Sequence, residues 1–61
     1  MDKVNEIREK IKQNDILIKY YFENDNLYQI IKLVEMNEIL EDEMNDIIDK
    51  ENLYKYFLNK N

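Results

Sequence analysis

The sequence predicts an all-α fold, a small bundle of three helices, and three observations carry that expectation. Apolar residues recur at steps of three and four along most of the chain, the spacing that stacks side chains on one helical face. Gly and Pro are both absent, which removes the residues that make hairpin turns and interrupt helices. Asn and Asp stand between the apolar stretches, where they cap helices. The expected helices cover about residues 2–23, 26–37 and 38–59 of a single domain, 1–61. If the last of them breaks near 49–52, the bundle has four short helices.

The first helix is read from Val4, Ile7 and Ile11, continued by Ile18, Tyr21 and Phe22. Asn14 interrupts that seam. A buried amide there sets register in a self-associating helix; the preferred alternatives are that Asn14 or Asp15 caps a second short helix, or that Asn14 lies at the wet edge of the stripe. Ile16 to Phe22 is rich in β-branched and aromatic residues, but no second strand is available to pair with it, so helix is preferred.

Glu23, Asn24, Asp25 and Asn26 form the clearest break, with Asp25 or Asn26 as the N-cap of the helix that begins at Leu27. An EF-hand is discarded, since its loop needs Gly at the sixth position and a matching run of oxygen ligands. The helix from Leu27 is expected to be the structural hub. Leu27, Ile30, Ile31 and Val34, widened by Leu33, make an apolar arc broad enough for two neighbours. A third helix, capped by Asn37 or by Glu41 and Asp42, carries Leu40, Met44, Ile47 and Ile48. The closing stretch Leu53, Tyr54, Phe57 and Leu58 either continues that helix or restarts after a break, with Asn52 as cap.

Composition excludes more than it assigns. The 61 residues contain no Cys and no His, so disulfides and thiolate or imidazole metal sites are absent. Ala, Ser and Thr are missing too, while Asn, Ile, Lys, Glu and Tyr crowd the chain; AT-rich codons account for that bias without any functional cause. Without Ser, Thr, Cys or His the usual nucleophiles and the usual neutral-pH base are gone, and a domain this small offers little interior in which to tune paired carboxylates. A phosphate loop fails for want of Gly. No enzyme, no cofactor, no metal and no small-molecule substrate are therefore expected. No apolar run approaches the roughly 18 residues of a membrane span, and Met1 to Lys12 does not resemble a secretory signal. A cytoplasmic location is the expectation.

The net charge is −5, and all of the excess lies in one block. Glu35, Glu38, Glu41, Asp42, Glu43, Asp46, Asp49 and Glu51 face Lys50 alone. Glu35, Glu38, Asp42, Asp46 and Asp49 follow steps of three and four and so share a helical face, where like charges repel by a few tenths of a kcal/mol per pair. Such a face is either simply solvated or meets something positive. Tyr20, Tyr28, Tyr56 and Met36 fall off the main stripes, which either places apolar surface in the open where interfaces recruit it or leaves the rings leaning over the edges of a thin core with their hydroxyls in water. A helix-turn-helix that binds DNA directly is disfavoured by phosphate repulsion from the acidic half.

Two functions from different classes are expected. The first is a non-enzymatic protein-binding module or inhibitor that offers Glu35, Glu38, Asp42, Asp46 and Asp49, with Tyr28 and Met36, to a protein with a basic surface, a nucleic-acid-binding protein being one such target. The second is a structural protein that completes its core as a homodimer. Direct contact with nucleic acid or membrane is not expected under either.

Overall fold

The computed structural model describes residues 2–59. Two helices, α1 (Lys3–Glu23) and α2 (Leu27–Asn59), are joined through Asn24, Asp25 and Asn26 into an antiparallel hairpin. Asp2 opens α1 by accepting a hydrogen bond from the Val4 N–H at 3.0 Å, the usual service of an N-cap carboxylate. At the other end the Asp25 N–H reaches the Phe22 carbonyl at 3.3 Å and the Asn26 N–H reaches the Tyr21 carbonyl at 2.9 Å. These are the paired bonds of a Schellman motif, which needs a residue in the left-handed region at its centre. Asp25 supplies it with φ 55°, as Asp tolerates better than most non-glycine residues. The Asn26 side chain then accepts from the Gln29 N–H at 3.4 Å, so three residues both close α1 and open α2.

The first expected helix is present almost as read, and Asn14 and Asp15 lie inside it rather than capping a new one. The expected second and third helices are one. α2 runs 33 residues without a break at Asn37, at Glu41–Asp42 or at 49–52, so the fold is a two-helix hairpin and not a bundle of three or four. The physical reason is that nothing in Glu35–Glu51 obliges a helix to stop. Asp and Asn cap helices only where the chain turns, and the like-charge penalty within the block is a few tenths of a kcal/mol per pair, far less than the cost of ending and renucleating a helix.

A strict heptad seam joins the helices. On α1 it runs Val4, Ile7, Ile11, Asn14, Ile18 and Tyr21; on α2 it runs Ile30, Leu33, Asn37, Leu40, Met44 and Ile47, with steps alternating between three and four. Each of these residues is buried or half-buried, with Val4, Ile7, Leu33 and Asn37 the most enclosed. The wide hub arc is therefore corrected: Ile30 and Leu33 turn inward, but Leu27, Ile31 and Val34 stay exposed. A single neighbour can cover only a narrow seam, and the arc is broad enough for two.

Midway along the seam, the two asparagines form a polar layer. The Asn14 side-chain N–H donates to the Asn37 side-chain oxygen at 2.9 Å, and the Asn37 side-chain N–H donates to Asp15 Oδ1 at 3.0 Å. Asn37 is thus no cap: it is buried and reads the position of α1 along α2. Sliding either helix would leave its amide enclosed without a partner, which costs roughly 1–3 kcal/mol. At the open end Lys3 and Glu43 approach to 3.5 Å, an exposed pair of small energetic weight.

The hairpin is a rod, 56 × 19 × 11 Å, with a radius of gyration of 15.8 Å. A compact domain of this length has a radius near roughly 10.5 Å. Its surface of 5367 Å² likewise exceeds the roughly 4,300 Å² of a compact monomer of the same mass. About 1,000 Å² of additional surface is thus open per chain, and much of it is apolar, since Ile16, Phe22, Leu27, Ile39, Leu53 and Tyr54 are all exposed.

Candidate interaction surface

The outer face of α2, remote from α1, carries a second row of side chains at the same spacing as the seam. It runs Tyr28, Ile31, Glu35, Glu38, Asp42, Asp46, Asp49, Leu53 and Tyr56, roughly 42 Å along one unbroken helix. All of these residues are exposed. The five sequence-predicted carboxylates are brought together here as one ladder because α2 is continuous; a break at Asn37 or near 49–52 would turn its ends onto different faces. Within it, Lys50 pairs with Asp46 at 3.2 Å across one helical turn.

Tyr28 belongs to the same face, at heptad spacing from Glu35, Asp42 and Asp49. The Lys32 ammonium sits 5.4 Å from the centre of its ring, a cation–π approach that holds the ring against the helix. Met36 does not belong to it. That side chain lies to one side, where with Ile39 and Leu40 of α2 and Lys10, Gln13 and Asn14 of α1 it lines a shallow, largely apolar groove of about 350 Å³.

Sequence reasoning misses the two ends of the ladder. It assigns Ile31 to the core and Leu53 to a separate stripe, yet both fall in register with the acids, so the row is acidic in the middle and apolar at each end. The signal that finds them is the unbroken three-and-four spacing from 28 to 56. Among the described residues no cluster of carboxylates converges to hold a metal ion, and no helix is long and apolar enough to cross a membrane.

The fold and this surface define an all-α helical hairpin with a continuous, solvent-facing ladder. The chain matches no family model, no curated protein and no solved structure.

Proposed function

We propose that the chain is a non-enzymatic protein-binding module whose working surface is the outer row of α2. The observation that carries this reading is the pattern of that row: carboxylates from Glu35 to Asp49, bracketed by Tyr28 and Ile31 at one end and Leu53 and Tyr56 at the other. The row stands exposed on the side of α2 away from α1, although its carboxylates cost helix stability at several like-charge steps. The fitting partner is a protein with a basic strip and apolar contacts beyond both ends of it. Long-range attraction then speeds encounter and the apolar ends set the residence time. If the partner's basic strip is one that otherwise holds phosphates, occupying it makes the chain an inhibitor.

The test is capture from lysate with wild-type chain and with a triple variant, Glu38→Lys, Asp42→Lys and Asp46→Lys, as parallel baits. The expected result is a set of basic proteins held by the first, released by salt, and lost from the second while circular dichroism shows both baits equally helical. An identical captured set from both baits overturns the reading.

A further inference from the structure

α1 begins at Lys3, opposite Glu43, so α2 runs on past its neighbour. Residues 49–59 are all exposed, an eleven-residue projection of about 16 Å that carries Leu53, Tyr54, Phe57 and Leu58. Beside the seam, a third stripe of α2 includes Met36, Ile39, Glu43, Lys50, Tyr54 and Phe57, again at steps of three and four through Asp46 and Ile47. Its apolar members are half exposed or more, with Met36 at 50%, Ile39 at 67%, Tyr54 at 67% and Phe57 at 58%. One end of the stripe lines the groove between α1 and α2, and the other end is the projection.

The stripe is complementary to itself. About a point between Asp46 and Ile47, Met36 stands opposite Phe57, Ile39 opposite Tyr54 and Glu43 opposite Lys50. Two apolar pairs and one pair of opposite charge therefore face one another when the helix is laid antiparallel against its own copy, which is the requirement for an isologous interface. Charge points the same way. The projection balances Asp49 and Glu51 with Lys50 and Lys55, so it approaches the acidic body of another copy without the repulsion that the ladder would meet. The length also fits, because α1 leaves residues 49–59 of α2 uncovered.

We propose that a second copy of this chain covers the stripe. The two α2 helices pack antiparallel about a two-fold axis between Asp46 and Ile47, and the 49–59 projection of each copy lies in the groove beside Met36 and Ile39 of the other. Apart from Asp46, which lies at the axis, the outer ladder stays accessible in this arrangement, so the dimer stands or falls independently of the partner proposed for the rest of that ladder.

Sedimentation equilibrium of the full chain from about 5 to about 200 µM is expected to show a monomer–dimer equilibrium. Glu43→Lys alone and Lys50→Glu alone each place like charges opposite one another twice and weaken dimerisation at least tenfold; the double variant restores it to within threefold of the original. Absence of cysteine from the chain permits a check of direction: a mixture of Ile39→Cys and Tyr54→Cys chains forms the mixed disulfide under mild oxidation. A helical chain that stays monomeric at about 200 µM, a double variant no better than the single ones, or a dominant 39–39 disulfide overturns the proposal. The Glu38→Lys, Asp42→Lys double variant, which leaves Asp46 at the axis unchanged, still loses partner capture but leaves dimerisation within threefold of the original, so loss of partner capture is distinguishable from loss of the dimer.

Discussion

The two ends of α2 have similar apolar content and opposite fates. Ile30, Leu33, Leu40 and Met44 sit on the seam and are half-buried or better, whereas Leu53, Tyr54, Phe57 and Leu58 are all more than half exposed. Local propensity does not distinguish these stretches, and both are helical in the same unbroken element. What differs is the presence of α1 alongside one and its absence beside the other. Burial here is a property of the neighbour and not of the residue, and the apolar side chains of the second stretch are left uncovered.

That contrast is tested most sharply by placing a charge at each end of the molecule's apolar scale. Ile7 is 3% exposed, and Ile7→Asp enclosing a carboxylate without a partner should cost about 3 kcal/mol or more. A core this small supplies no more than about 3–5 kcal/mol, so thermal melts followed by circular dichroism should lose their cooperative transition. Phe57→Asp at a dilution where the chain is monomeric should change stability by less than about 0.5 kcal/mol. Equal effects from the two would mean that the projection is packed in the isolated chain.

A smaller effect is expected at the polar layer. Asn37→Ala leaves the Asn14 amide and the Asp15 carboxylate without the bonds they make across the seam, and denaturant titration should show a loss of about 1–3 kcal/mol. Replacing Asn14 and Asn37 together by Leu should be neutral or stabilising, because no enclosed polar group is then orphaned, while register becomes less strictly defined. The smallest change is in the turn. Asp25→Gly relieves a left-handed backbone, φ 55°, and is expected to raise stability by about 0.5–1 kcal/mol; a loss would show that the Asp25 side chain supports the turn.

The turn and α1 were legible because their determinants are local. Asn24, Asp25 and Asn26 carry capping chemistry within three residues, and the apolar spacing of α1 needs no partner to be recognised. The acidic ladder was legible for the same reason, since spacing alone assigns its members. Asn37 is misread from sequence because the same side chain that caps a helix also serves as a buried register pin, and only the nearness of Asn14, twenty-three positions away, separates the two roles. A break read at Asn37 in turn divides α2 and yields the expected bundle.

The sequence by itself determined that the chain is helical, that it turns at Asn24–Asn26, and that its negative charge collects between Glu35 and Glu51, because backbone propensity, capping and charge depend on residues within a turn or two of one another. Only the tertiary structure decided how many helices there are and which of the several apolar stripes of α2 is the inside. Every stripe satisfies the same periodicity, and α1 can cover one of them. Which one it covers is set by the fit between the two helices, with Asn14 meeting Asn37 in the middle of the seam, and that choice leaves the outer ladder and the 36–57 stripe facing outward.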